Sequence, residues 1–139
     1  AEVVPRGKSD MAWELSSSGF LMTLSGYVPD LIGEDIQPLV QRALAKNNWR
    51  LDEITHWCVH PGGRKILDKI GKSLGLDYEA LSSSYQVLRH FGNMSSPTIL
   101  FVMKDMLHQV DYQRRNRMMG LAFGPGLTME TFMASTTPS

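Results

Sequence analysis

The stretch that most constrains this chain is Trp57-Cys58-Val59-His60-Pro61-Gly62-Gly63, an apolar run that ends at a histidine and then has to turn. Pro61 fixes its own φ and offers no N–H, and the two glycines after it open backbone conformations closed to other residues. A strand here therefore stops at His60. Apolar residues return at once with a 3.6-residue period, at Ile66, Leu67, Ile70 and Leu74, which predicts a strand, a tight turn and a helix. His60 then stands at the carboxyl end of the strand, where ligands gather in open α/β sheets.

The rest of the chain reads outward from that unit. Residues 1–10 form a polar lead-in, and two strands, Met11 to Leu15 and Phe20 to Leu24, flank the turn Ser16-Ser17-Ser18-Gly19. Val28-Pro29-Asp30 opens a helix that carries Leu31, Ile32, Ile36, Leu39, Val40, Ala43 and Leu44 at helical spacing out to about Asn47, with Pro38 positioned to bend it. The strand around Trp57 covers about Ile54 to His60. The helix after it covers about Lys65 to Leu74 and is closed by Gly75, with a short capped turn at Asp77 to Leu81. Ser84 to Arg89 fits either a strand or a helical turn. Ser96 before Pro97 reads as N-cap and first residue of a helix, and Ile99 to Met103 are apolar nearly all round, which predicts a fully buried helix. Asp111 to Arg117 is a charged loop, and Met118 to Phe123 and Leu127 to Phe132 are strands joined by Gly124-Pro125-Gly126.

The order β-β-α-β-α-α-β-β predicts an α/β layered domain: a mixed β-sheet with helices on its faces and one buried central helix. A helix that apolar needs cover on the side away from its own sheet. Few elements are left to supply it, so a partner layer is expected beyond these residues.

Composition removes several classes of function. Fourteen basic and fourteen acidic residues give a net charge of zero, so no basic field favours nucleic acid or an anionic membrane surface. The lone Cys58 forms no internal disulfide, no run approaches the roughly 18 apolar residues of a membrane span, and the first residues lack a signal peptide's layout. A cytoplasmic setting is expected, and a chain that opens on Ala1 is expected to be a piece of a longer protein. His56, Cys58 and His60 alternate, so a strand would put all three on one face; such spacing arises readily by chance and no fourth ligand is evident, so no metal is expected. Gly71-Lys72-Ser73 has the ending of a phosphate loop, but Ile66 stands where the earlier glycine is required. Arg114, Arg115 and Arg117 read as a solvated loop.

Three motifs in order carry a family resemblance: Trp57 to Gly63 (W-x-x-H-P-G-G), Gly92 to Ser96 (G-N-M-S-S) and Phe123 to Glu130 (F-G-P-G-L-T-x-E). From about Trp13 to the end the chain resembles the carboxy-terminal half of the chalcone and stilbene synthases, the type III polyketide synthases of the thiolase superfamily. The resemblance implies a thiolase-like half and an acyltransferase that works through a Cys-His-Asn site on acyl-CoA and malonyl-CoA, with no further cofactor. His60 and Asn93 match the family's catalytic histidine and asparagine. By the same resemblance Ser95, Phe123, Gly124 and Pro125 line the cavity in which the product grows, the backbone near Lys65 lies along the CoA path, and the intact protein is a homodimer.

The family's nucleophilic cysteine belongs to an amino-terminal half outside this chain. Cys58, two residues before His60, matches no family nucleophile, so the 139 residues alone are expected to be inactive. The nearest alternative is a 3-oxoacyl-carrier-protein synthase III-like condensing enzyme, which has a similar histidine and asparagine but not this Pro-Gly-Gly or Phe-Gly-Pro-Gly setting. A non-catalytic CoA-thioester binding module is the alternative from outside the enzymes.

Overall fold

The computed structural model describes residues 2–3, 5–7, 9–17 and 19–138, with side chains for all of these except Glu2, Trp13 and residues 20–24. Six strands and four α-helices follow one another among the described residues. They are β1 (Glu2–Val3), β2 (Met11–Ser16), β3 (Gly19–Leu24), α1 (Val28–Lys46), β4 (His56–Val59), α2 (Arg64–Leu74), α3 (Ser82–Phe91), α4 (Thr98–Leu107), β5 (Asn116–Gly124) and β6 (Thr128–Thr136). One sheet runs in the order β1-β6-β5-β4; β4 is parallel to β5 and the other neighbours are antiparallel, so the sheet is mixed, as expected.

Alternation along β4 and β5 sends side chains to two different cores. Trp57, Val59, Met119 and Leu121 join the larger one, where α1 contributes Val28, Ile32, Ile36, Leu39, Val40 and Leu44, and α2 contributes Ile66, Leu67, Ile70 and Leu74. None of these side chains is more than 6% exposed, and burial of each stabilises the fold by about 1.5–3 kcal/mol. Cys58 and Met118 face the other way, into a smaller core with Val87 of α3, Val102 and Met106 of α4, and Val110. Helices thus cover both faces of β4 and hold the end of that strand between layers. Asp77 caps the short turn after α2, its Oδ1 accepting the Ala80 N–H at 2.9 Å.

The structure corrects several expectations. β2 and β3 pair with each other as a separate ribbon, docked where the Gly126 N–H donates to the Met11 carbonyl at 2.6 Å. The expected lead-in supplies β1, which pairs with β6 through Glu2↔Met129 and Val3↔Thr128; Ala1, Val4 and Lys8 of that lead-in, and Ser18 of the expected turn, lie outside the described residues. α1 continues through Pro38 unbroken. The segment read as strand or turn is the helix α3, because burial of Ser83, Ser84 and Val87 outweighs the turn preference of three consecutive serines.

α4 also departs from its reading. It starts at Thr98 with no side-chain cap from Ser96; the hydroxyl at work is that of Thr98, which accepts the Met94 N–H at 2.8 Å and pins the loop before the helix. Only Thr98, Val102 and Met106 are buried, while Leu100 is 62% and Phe101 41% exposed. The expected full burial is met on one side only, since α3 and β4 cover that side and no described element covers the other.

Candidate active site

His60 follows directly on β4. Its N–H donates to the Leu121 carbonyl at 2.8 Å, continuing the parallel ladder by one residue, and its carbonyl accepts the Gly62 N–H at 3.0 Å, which starts the turn into α2. The residue is 8% exposed. Burial pushes the imidazole pKa down, so the ring is neutral and keeps one N–H donor at neutral pH.

Asn93 reaches the same place from α3. Gly92 ends that helix at φ 71° and ψ −165°, a region essentially reserved for glycine, and redirects the chain. The Asn93 amide Nδ2 then donates to the Gly62 carbonyl at 3.2 Å, and its Oδ1 accepts the Ser95 N–H at 2.9 Å. These two bonds set which end of the carboxamide is which and leave a second N–H free to donate. Ser95 itself sits at φ 62°, a left-handed conformation that costs a residue with a side chain about 1–3 kcal/mol and that the Asn93 side chain holds in place.

His60, Asn93, Ser95, Phe123, Gly124 and Pro125 together wall one hollow of about 270 Å³. Six residues from three separate sequence motifs therefore converge. Met11, Ser96, Ile99 and Ala122 complete the wall. Sequence reading passed over these four, because Ile99 and Ala122 look like ordinary core residues and Met11 arrives only through the docking of the ribbon. The hollow is open to solvent on the side of Asn93 and Ser95.

Lys65 lies on the exposed first turn of α2 and is not part of this wall. Cys58 is fully buried beneath the site, its Sγ 3.8 Å from the Ile99 carbonyl, and burial raises its pKa to about 12. A thiol so placed stays protonated and has no access to a substrate. Among the described residues no three His, Cys, Asp or Glu side chains converge as metal ligands, and no helix is long and apolar enough to cross a membrane.

The mixed sheet, its two helical layers and the hollow at the end of β4 define a thiolase-like α/β half. It superposes on the crystal structure of PKS-I from the brown alga Ectocarpus siliculosus with a TM-score of 0.85 and 29% identity, over 94% of this chain and 36% of that one. Residues 1–138 match the family described as chalcone and stilbene synthases, C-terminal domain, and the chain belongs to that family. It is 34% identical over 117 residues to an alpha-pyrone synthesis polyketide synthase-like protein of Mycobacterium tuberculosis, covering 84% of this chain and 30% of that protein. It is 33% identical over 132 residues to type III polyketide synthase 10 of Oryza sativa subsp. japonica, covering 86% of this chain and 33% of that protein. The chain spans about a third of the length of the curated relatives it matches.

Proposed function

We propose that these residues form the carboxy-terminal part of a type III polyketide synthase, an acyltransferase that decarboxylates malonyl-CoA and condenses it onto an acyl group held on a cysteine. The observation that carries this reading is the meeting of a neutral, buried His60 and an oriented Asn93 in one hollow. Both offer uncharged N–H donors, which is what a thioester carbonyl oxygen needs as it becomes an oxyanion.

In the proposed reaction the bond from the malonyl α-carbon to its carboxylate breaks and carbon dioxide leaves. The electron pair passes into the thioester, whose oxygen becomes an enolate held by the His60 and Asn93 donors. The enolate carbon then attacks the carbonyl of the acyl-cysteine thioester, a carbon–carbon bond forms, and the thiolate leaves. The cysteine belongs to an amino-terminal half that closes the open side of the hollow and excludes water. Ser95, Phe123, Gly124 and Pro125 form the wall against which the product grows, and the backbone near Lys65 lies along the CoA arm. The same reading makes the intact protein a cytoplasmic homodimer that takes acyl-CoA and malonyl-CoA and uses no other cofactor.

The test is release of carbon dioxide from malonyl-CoA by the intact protein that carries this chain together with its nucleophile-bearing half. Each donor to an oxyanion is typically worth about 2.7–4 kcal/mol, so His60→Ala and Asn93→Ala should each lower kcat by about 10²–10³-fold. The 139 residues alone should be silent. A comparable rate from these residues alone, or full activity in both variants, overturns the proposal.

A further inference from the structure

We propose that Ser84 is a positioning residue that sets the placement of His60 relative to Asn93, an inference that rests on reading those two as the oxyanion donors. β4 is the outer strand of its sheet, so one side of it meets no other strand. The Val59 carbonyl and the His60 N–H belong to a single trans peptide and point in opposite directions. The N–H faces inward and donates to the Leu121 carbonyl at 2.8 Å. The carbonyl therefore faces the open side, where the Ser84 hydroxyl of α3 donates to it at 2.6 Å.

Ser84 is completely buried. Water has no access to replace the bond, and the peptide that leads into His60 is clamped from both sides, by β5 through its N–H and by α3 through its carbonyl. α3 runs on from Ser84 to Phe91 and delivers Asn93 two residues later. There the Asn93 amide bonds the Gly62 carbonyl, two residues beyond His60. One rigid helix thus grips the histidine segment on its near side at Val59 and on its far side at Gly62. Loss of the Ser84 hydroxyl leaves a buried carbonyl unpaired and frees α3 to shift along β4, which moves one donor against the other.

Ser83 supplies the control. It is also buried on α3, 5% exposed, but its hydroxyl accepts the Gln109 amide at 3.0 Å, on neither the His60 nor the Asn93 segment. In the intact protein Ser84→Ala should lower kcat for malonyl-CoA decarboxylation by about 10- to 100-fold, the scale of a misplacement near 1 Å, with KM moved less than about 3-fold. Ser84→Thr, which restores the hydroxyl, should recover most of the loss, and Ser83→Ala should leave kcat within about 2-fold, since its partners are remote from the hollow. Where Ser84→Ala does not fold, Ser84→Cys keeps a weak donor of similar size and should fall between alanine and wild type.

A folded Ser84→Ala or Ser84→Cys protein with the kcat of Ser83→Ala overturns the positioning role, as does a Ser84→Thr protein no faster than Ser84→Ala. With His60→Ala and Asn93→Ala inactive, such a result removes Ser84 alone. Full activity in His60→Ala and Asn93→Ala removes the reading beneath it.

Discussion

Gly120→Ala is a test of how β5 is packed beside the site. Gly120 pairs with Phe132 across the β5–β6 ladder, and a Cβ added to it would stand 1.8 Å from Cε1 of the Phe132 ring, where ordinary contact needs at least 3.4 Å. The ring has to withdraw by about 1.6 Å from its place against the smaller core, and such overpacking typically costs 1–3 kcal/mol. Replacing glycine in a strand recovers about 0.5–1 kcal/mol of unfolded-chain entropy. The net expectation is a loss of about 1–2 kcal/mol in urea denaturation followed by tryptophan fluorescence. The cause is checked by a double-mutant cycle. In a Phe132→Ala background the obstacle is gone, so adding Gly120→Ala should cost nothing or stabilise by about 0.5 kcal/mol. A Gly120→Ala protein as stable as wild type, or a penalty of the same size in both backgrounds, would refute the packing argument.

Other measurements bear on the site and its surroundings. Because burial holds the His60 pKa below its ordinary 6.5, the unfolded chain binds the extra proton more readily than the folded one. Stability is then fully present above pH 6.5 and declines as pH falls toward the lower folded value. His60→Gln should flatten that decline between pH 7 and pH 5; parallel curves for wild type and variant would show that another group is responsible. Cys58, with its pKa raised to about 12 and no exposure, should resist iodoacetamide in the folded protein and react after denaturation; rapid native labelling would mean that the strand opens. Leu100→Lys should leave the unfolding free energy within about 0.5 kcal/mol of wild type, because Leu100 is 62% exposed. A large loss of stability would mean that α4 is covered within this chain.

Parts of this structure are legible in single stretches of sequence. Pro61, Gly62 and Gly63 stop a strand wherever they occur, and the periods in Val28 to Leu44 and Ile66 to Leu74 describe helices with one apolar stripe, which is what α1 and α2 bury. Backbone restriction and side-chain periodicity are carried by the residues themselves, so they survive without knowledge of the rest of the chain. The strand end and the turn after it drew attention to His60, but Asn93 was singled out only by the family resemblance that its motif carries.

That His60, Asn93, Ser95, Phe123, Gly124 and Pro125 share one hollow was implied by the family resemblance alone; the contacts that bring distant segments together were closed to any reading of local pattern. Three serines at the start of α3 favour a turn locally, and only the space between β4 and α4 makes them helical. The apolar run of α4 shows a helix with no polar face, yet which side meets β4 and which carries Leu100 and Phe101 depends on layers elsewhere. The hydroxyl of Ser84 on the Val59 carbonyl, the amide of Asn93 on the Gly62 carbonyl and the Phe132 ring over Gly120 join residues 12 to 31 positions apart. The sequence by itself therefore determined the local elements and which residues, His60 and Asn93 among them, stand at their ends. The tertiary structure alone decided how those ends face one another, because a hydrogen bond or a packing contact depends on angstrom-scale distances between segments, and no local backbone preference encodes them.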